Sequence, residues 1–206
     1  MRYQRIHVLG GPGSGKTYVA AKIAAALGIQ AHDLDDLFWD PSSPTYNVRA
    51  DQEKRDQALA ALVMQDTWII EGAYYKWLTP SFERADLILL LNPSVWLRDW
   101  RVVKRSALHL LGKSHSAKKE TFASLLNLIH WNHTYEQHQL VPARALLSLL
   151  HKNPIECSTL AQVYGLPTSS VGQGQHIVEQ ASGERTLYIT ACLAHDVLTI
   201  TTRRCG

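Results

Sequence analysis

The sequence predicts an α/β fold in which a mostly parallel, five-stranded sheet lies between two layers of helices. Two observations lead to this prediction. Short, nearly unbroken apolar runs, which are typical of buried parallel strands, alternate with segments of helical periodicity. The first apolar run, Ile6–Leu9, leads through a glycine-rich turn directly into an alanine-rich helical pattern over 18–27. Repeated strand–helix units of this kind form a three-layer α/β/α domain.

The glycine-rich turn matches the phosphate-binding pattern G-x-x-x-x-G-K-[ST] without a mismatch. Backbone N–H groups of such a loop converge on an anion, and the N-terminus of the following helix adds partial positive charge. We expect Lys16 to contact the β- and γ-phosphates and the Thr17 hydroxyl to bind Mg²⁺. The predicted nucleotide-binding residues are Gly10, Gly11, Pro12, Gly13, Ser14, Gly15, Lys16 and Thr17. The loop between a strand and a helix predicts a P-loop NTPase fold that binds ATP.

The later elements follow the same alternation. Further strands are predicted at 30–33, 67–72 and 86–92, and further helices at 49–65, 92–111, 120–139 and 142–151. Asn92 as a cap and Pro93 in the first turn predict the start of the helix at 92. After about Gly165, residues that favour turns predict a linker, and two β-type runs beyond it are expected to pair as a hairpin. We therefore expect a nucleotide-binding domain over 1–165 and an extension of unassigned role over 166–206.

Carboxylates follow the second and third predicted strands, at the sheet edge where the glycine loop is also expected. The acidic turn Asp33–Asp36 and the strand-terminal Glu71 are both at this edge. A carboxylate in the acidic turn is able to accept a proton from a substrate hydroxyl or to orient Mg²⁺ through water, and Glu71 is a candidate Mg²⁺ ligand. The alternatives are a solvated turn that caps a helix and, for Glu71, a purely structural strand end.

A basic helix face follows the fourth predicted strand. Arg98, Arg101 and Arg105 are three and four residues apart, so one face of the helix carries all three. Such an array suits the binding of phosphates and the stabilisation of charge on a moving phosphoryl group, although a solvated basic helix is the simpler alternative. The segment at about 106–120 is expected to form a mobile lid. Three lysines continue its basic character: Lys113, Lys118 and Lys119.

With these motifs, the chain resembles the adenylate-kinase-like P-loop proteins, and more narrowly the bacterial family known as DNA topology modulation or adenylate kinase-related proteins. The resemblance covers roughly residues 3–165, and it implies the strand order 2-3-1-4-5. The stretches that carry it, besides the glycine loop, are Leu34–Trp39, Trp68–Tyr74, Ala85–Asn92 and Arg98–Arg105. It implies that Asp35 lies beside the acceptor and Glu71 beside Mg²⁺, and that Arg101 and Arg105 face the phosphates. The catalytic residues implied in this way are Lys16, Asp35, Arg101 and Arg105, and the metal ligands are Thr17 and Glu71.

Several positions depart from the family pattern. Glu71, Ala73 and Asn92 stand where the family has Asp, Asn and Asp, and the lid segment lacks an acidic D-x-x-E-G stretch. The D-G-F-P-R signature of adenylate kinases is also absent, because Tyr74 and Tyr75 follow Ala73. We therefore do not expect adenylate kinase activity itself.

Composition predicts an ordinary globular protein, with 46% hydrophobic residues and a net charge of +3. No apolar run approaches the roughly 20 residues of a membrane span, and the three cysteines lack paired spacing, which predicts reduced thiols in a cytoplasmic protein. Two groups of residues have a functional and a structural interpretation. The histidines are more typical of an exposed helix face than of a metal site, and the tryptophans belong either to the core or to an acceptor pocket. These residues are His130, His133 and His138, and Trp39, Trp77 and Trp131.

The expected function is an ATP- and Mg²⁺-dependent phosphotransferase that acts on a small-molecule or nucleotide acceptor. The alternative is a nucleotide-dependent regulatory or DNA-associated protein with weak ATPase activity. The glycine loop favours both equally, whereas the carboxylates and arginines favour the first. Neither the acceptor nor the oligomeric state follows from the sequence, and no DNA-binding element is recognisable in it.

Overall fold

A five-stranded parallel sheet forms the centre of the molecule. In this computed structural model, the described residues are 3–40, 48–110, 122–158, 186–192 and 197–203. The strands are Arg5–Gly10 (β1), Ala31–Asp33 (β2), Trp68–Gly72 (β3), Leu87–Leu91 (β4) and Ile155–Cys157 (β5). Their order is β2-β3-β1-β4-β5, and all four pairings are parallel. The predicted α/β fold, the five strands and their order are confirmed.

Seven α-helices are described beside the sheet. They are Lys16–Leu27 (α1), Asp35–Phe38 (α2), Gln52–Val63 (α3), Thr79–Arg84 (α4), Val95–Leu110 (α5), Phe122–Tyr135 (α6) and Val141–Leu149 (α7). Sequence analysis did not locate α2, α4 or β5, because elements of three to six residues are too short to show a period. Helix α1 ends as expected at Gly28, whose φ of 67° lies in the left-handed region.

The start of α5 differs from the prediction. Asn92 does not cap this helix, because α5 begins at Val95 and the Arg98 amide donates to the Ser94 carbonyl. The Asn92 side chain instead donates a hydrogen bond of 3.3 Å to Glu136. A side chain engaged with another helix is not available as a cap, so tertiary contact overrides the local signal.

Helices α6 and α7 are joined without a break, whereas the sequence predicted two separate helices. A π-helical segment, Glu136–Leu140, connects them, and the Val141 amide donates to the Glu136 carbonyl. This bond spans one residue more than an α-helical bond, which inserts an extra residue into the turn. Pro142 is the second residue of α7 and has no N–H to donate. The change from the π-helical to the α-helical pattern therefore lies beside a residue that donates no helical hydrogen bond.

The sheet separates two apolar layers, which confirms the three-layer architecture. Helix α1 covers one face, and α3, α4, α6 and α7 contribute to the other. The first layer includes Ile6, Val8, Val19, Ala20, Ile23, Ile69, Leu87, Leu89 and Leu91. The second includes Leu9, Leu59, Leu62, Trp68, Ile70, Phe82, Ile88, Leu90, Tyr135, Leu140 and Leu147. Because side chains alternate along a strand, β1, β3 and β4 each contribute to both layers. All residues of β3 and β4 are buried.

The runs Thr186–Cys192 (β6) and Val197–Arg203 (β7) form an antiparallel pair, as predicted for a hairpin. Residues 106–110 of the expected lid belong to α5, and the rest of that segment, with its three lysines, lies outside the described residues. The domain boundary at 165 and the linker also lie outside them. Among the helices that the structure describes, none has both the length and the apolar character needed to cross a membrane.

His7 makes the free energy of unfolding depend on pH. It is fully buried on β1, with Nδ1 2.7 Å from the Ser81 Oγ, and burial lowers its pKa to about 3. The unfolded chain binds a proton near pH 6.5 but the folded chain does not, so stability falls as the pH drops below 6.5.

We expect wild type to lose about 2 kcal/mol more unfolding free energy between pH 7 and pH 5 than His7→Leu does, from about 1.4 kcal/mol per pH unit. Urea titrations at the two pH values measure this difference. Other titrating groups are common to both proteins and cancel. An identical pH dependence in the two proteins would contradict the buried, neutral state of His7.

Candidate functional site

The glycine loop, Gly10–Thr17, leaves the end of β1 and enters α1, as its pattern predicts. Gly13 and Gly15 have φ values of 71° and 94°, in the left-handed region that favours glycine. Close approach also requires glycine here, because a Cβ on Gly13 would overlap the Arg98 carbonyl oxygen. The backbone of the loop thus lies at close range to α5, and it leads into the N-terminus of α1, where phosphate binding is expected.

Within the loop, polar groups lie where a phosphate ligand is expected. The Ser14 hydroxyl is buried, and none of the described residues forms a hydrogen bond with it. Lys16 is half-buried at the first position of α1, and Thr17 is exposed beside it. A buried hydroxyl without a partner is uncommon in native proteins, and it is consistent with a ligand that completes the loop.

The three predicted arginines of α5 lie in different environments. Arg101 is half-buried, and its Nη1 donates to the carbonyl oxygens of Gly13 at 3.1 Å and Ser14 at 3.3 Å. Arg98 is buried, and Arg105 is exposed one turn beyond Arg101. Arg101 therefore holds the backbone of the loop. The phosphate contacts predicted for Arg101 and Arg105 stay predictions.

The expected carboxylates are brought together at the same sheet edge. Asp33 and Glu71 occupy paired positions of β2 and β3. Lys16 Nζ lies 3.9 Å from Glu71 Oε2, and among the described residues neither Glu71 oxygen has a hydrogen-bond partner. The Asp35 amide donates to Asp33 Oδ1 at 2.9 Å, which connects the start of α2 to this group.

The pKa values of these carboxyls depend mainly on burial. Burial raises the pKa of Glu71, and nearby Asp33 raises it further, whereas Lys16 lowers it. The Thr17 hydroxyl also lowers the pKa of Glu71, although its geometry falls short of a hydrogen bond. Burial likewise raises the pKa of Asp33, against the opposing effect of the Asp35 amide. Buried Glu71 and half-buried Asp33 carry two negative charges near the single positive charge of Lys16, so a second cation would reduce the repulsion between them.

Asp35 is oriented by a residue that the sequence reasoning did not assign to the site. The Tyr74 hydroxyl donates to Asp35 Oδ1 at 3.0 Å, and the Tyr74 ring stacks on Phe38 with 4.4 Å between centroids. Burial and the charge of Asp35 raise the pKa of Tyr74 far above its usual value, so this hydroxyl remains a donor. The signal for Tyr74 was its place three residues after Glu71, directly beyond a strand that ends at the site.

The three tryptophans surround this stacked pair. The rings of Trp77 and Trp131 lie 6.2 and 6.4 Å from the Tyr74 ring, and Trp39 meets Phe38 edge-on at 4.8 Å. All three are partly buried, so they are neither fully core residues nor free surface groups. They form one aromatic cluster beside Asp35, which is where an acceptor pocket was considered.

The three histidines at 130, 133 and 138 are exposed on α6 and the π-helical segment. His133 Nε2 lies 2.8 Å from Asp99 Oδ2. In the described part of the chain, no group of three or more His, Cys, Asp or Glu side chains is arranged to hold a metal ion by itself. The carboxylate pair at the loop would therefore need ligands from outside the protein, such as phosphate and water, to complete a Mg²⁺ site.

Comparison with known proteins gave no matching family model and no matching curated protein. Several solved structures are similar at low identity. A sugar kinase from Janibacter sp. HTCC2649 is 19% identical, with a TM-score of 0.38 over 70% of this chain and 98% of that one. A shikimate kinase from Acinetobacter baumannii is 18% identical (TM-score 0.40, 72% and 92% covered), and one from Bacteroides thetaiotaomicron is 17% identical (TM-score 0.42, 73% and 99% covered). Similarity at this level assigns no substrate to the chain.

Lys16→Ala is expected to weaken ATP binding by about 1.5–3 kcal/mol, because it removes a charged donor to phosphate. Isothermal titration calorimetry with Mg²⁺-ATP measures the effect. Lys22→Ala is the matched control, since it removes the same charge from the same helix and should bind ATP like wild type. Equal affinity of Lys16→Ala and wild type would contradict the assignment of the loop.

Proposed function

We propose that the chain is an ATP- and Mg²⁺-dependent phosphotransferase that acts on a small-molecule or nucleotide acceptor. The observation that carries the proposal is the Tyr74–Asp35 hydrogen bond beside the glycine loop. A phosphate loop alone serves motors, switches and kinases equally. A carboxylate that is held in one orientation near Glu71 and Asp33 adds a group suited to a second substrate.

ATP and Mg²⁺ fit the residues that are present. The loop provides backbone amides, the buried Ser14 hydroxyl lacks a partner, and Lys16 supplies a charge. Thr17, Glu71 and Asp33 would hold Mg²⁺, since hard cations prefer oxygen ligands. Bound Mg²⁺-ATP supplies the phosphoryl group and neutralises the charge that develops on it.

Asp35 acts on the acceptor in this proposal. Its carboxylate accepts the proton of an acceptor hydroxyl, which makes that oxygen a better nucleophile. Tyr74 keeps the carboxylate in place through Oδ1, and the stacked Phe38 keeps Tyr74 in place. The aromatic cluster around this pair covers the acceptor and limits the access of water, which would otherwise compete for the phosphoryl group.

The arginines of α5 have two different tasks in this scheme. Arg101 holds the carbonyls of Gly13 and Ser14, so the loop amides remain aimed at the phosphates. Arg105, one turn further along α5, faces the phosphates once the nucleotide is bound. Both tasks rely on preorganisation, because phosphoryl transfer is catalysed mainly by positioning and charge.

We further propose that the chain belongs to the adenylate-kinase-like group named in the sequence analysis, in its DNA topology modulation subgroup, and that it lies in the cytoplasm. The strand order and the four matching stretches support the first statement, and the unpaired cysteine spacing supports the second. Adenylate kinase activity is not expected, because Ala73 and Tyr74 stand in place of that signature.

The function is tested by ADP release in the presence of candidate acceptors. A thermal-shift screen of metabolites first identifies compounds that stabilise the protein. Acceptor-dependent ADP release then supports the phosphotransferase. Release that only DNA stimulates, or that no acceptor increases, would support the alternative of a nucleotide-dependent regulator with slow hydrolysis.

Asp35→Asn is expected to lower acceptor-dependent turnover by about 10²-fold or more, the scale of losing a general base. ATP affinity should stay within about tenfold, because the loop is unchanged. Tyr74→Phe should lower turnover by a smaller factor, since the carboxylate remains but loses its orientation. Asp36→Asn is the control, because Asp36 is exposed on the same helical turn. Wild-type turnover in Asp35→Asn would contradict the assigned role.

The extension after residue 165 is proposed to be dispensable for nucleotide binding, because none of the proposed site residues lies in it. A chain truncated after Gly165 should bind ATP within about threefold of the full chain, on the scale of ordinary surface changes. Calorimetry measures this, and circular dichroism verifies that the shorter chain is folded. A folded truncated protein that no longer binds ATP would contradict the proposed domain boundary.

A further inference from the structure

Arg98 is buried beneath the glycine loop and is only partly hydrogen-bonded. Its side chain lies on α5 with a relative exposure of 3%, and Nη2 donates to the Asn132 carbonyl at 3.1 Å. The guanidinium lies over the Tyr135 ring, 5.6 Å from the centroid. None of the described residues accepts a hydrogen bond from Nε or Nη1. A buried arginine that leaves two of its nitrogens without acceptors requires an explanation.

The loop is adapted to this side chain. A Cβ on Gly11 would lie 2.6 Å from Arg98 Nη1 and 3.0 Å from the Tyr135 ring, so no larger residue fits without a shift. Gly11 does not have a positive φ, unlike Gly13 and Gly15. Its missing side chain therefore serves the close approach of Arg98 and Tyr135 rather than the backbone conformation. Since the Arg98 backbone also closes over Gly13, one residue contacts the loop at two points.

The charge of Arg98 has no carboxylate partner in the described part of the chain. Burial lowers the pKa of the guanidinium, yet an arginine remains protonated in proteins. The adjacent Asp99 is engaged elsewhere: its Oδ1 accepts from Asn132 at 3.0 Å, and its Oδ2 lies 2.8 Å from His133. Asp99 and Glu136 attract the guanidinium without forming an ion pair with it, so part of the cost of burying its charge remains, and a nearby anion would reduce that cost.

We propose that Arg98 is a positioning residue of the glycine loop, and that the polyphosphate of the bound nucleotide is the counter-charge of its buried guanidinium. The proposal rests on the nucleotide binding inferred above. Arg98 acts through the loop: it supports Gly11 and Gly13 from behind and adds positive potential to the face where phosphates bind. Attraction across a buried loop is screened less than attraction through water, so its effect increases with the charge of the ligand.

Calorimetry with ATP, ADP and inorganic tripolyphosphate, each with Mg²⁺, tests this. Arg98→Met removes the charge and keeps an apolar chain of similar reach. We expect at least a tenfold loss of affinity for ATP and tripolyphosphate and a smaller loss for ADP. The melting temperature of the ligand-free protein should stay the same or rise, because an unpaired buried cation has been removed. Arg98→Lys keeps the charge and should recover part of the lost affinity.

Arg5→Met is the matched control. Arg5 is the first residue of β1, at the opposite end of that strand from the loop. Its side chain pairs with Asp86 near the surface. The Arg5→Met variant loses one positive charge, as Arg98→Met does. Its affinity for all three ligands should equal that of wild type.

The results separate the proposal from a purely structural role. Unchanged ATP affinity in Arg98→Met overturns it, and so does an equal loss for ATP and ADP together with a lower melting temperature. If Arg98→Met does not fold, Gly11→Ala decides, because its Cβ displaces the guanidinium: a tenfold selective loss for ATP over ADP supports the proposal, and wild-type affinity overturns it. If wild type itself binds none of the ligands, the proposed function fails before this question arises.

Discussion

The close approach of the glycine loop to α5 is the constraint on which the site depends. Gly13 lies against the carbonyl of Arg98, and Arg101 holds the carbonyls of Gly13 and Ser14. The loop is thereby clamped between the helix that it begins and a helix that follows three strands later. A loop of backbone alone would lose its shape in solution, because glycine has more conformational freedom to lose than any other residue. The contacts with Arg98 and Arg101 therefore restrict the loop to one conformation, which its glycine-rich sequence alone would not do.

The same layer of the molecule connects the two halves of the site. Tyr135 packs under the Arg98 guanidinium, and its hydroxyl donates to the Ala73 carbonyl at 3.2 Å. Ala73 precedes Tyr74, which orients Asp35. The glycine loop and the Asp35 carboxylate are therefore connected through one buried tyrosine, Tyr135. A displacement of either part is transmitted through packed, hydrogen-bonded groups, because close-packed interiors do not absorb local shifts.

The sequence predicted the parts of the site that local pattern encodes. The loop and the strand-terminal position of Glu71 each depend on residue type and spacing within one or two elements, whereas the strand order was implied by the resemblance to a known family. The contact of Tyr74 with Asp35 and that of Arg98 with Asn132 could not be predicted in this way, because the partners lie 39 and 34 positions away in the chain. The predicted cap at Asn92 is wrong for the same reason, since that side chain binds Glu136. Short elements such as β5 were missed because three residues show no period.

Charged groups of both signs lie around the loop, and their charges are only partly compensated. Glu71 and Asp33 share Lys16 on one side, while Arg98 lies behind Gly11 on the other. A fold that only needed stability would have paired these groups or replaced them with apolar residues. In the proposed function, the cation of Mg²⁺-ATP would suit the carboxylates, and its phosphates would suit the arginine. One ligand would then balance both kinds of charge at once, which apolar residues at these positions would not allow.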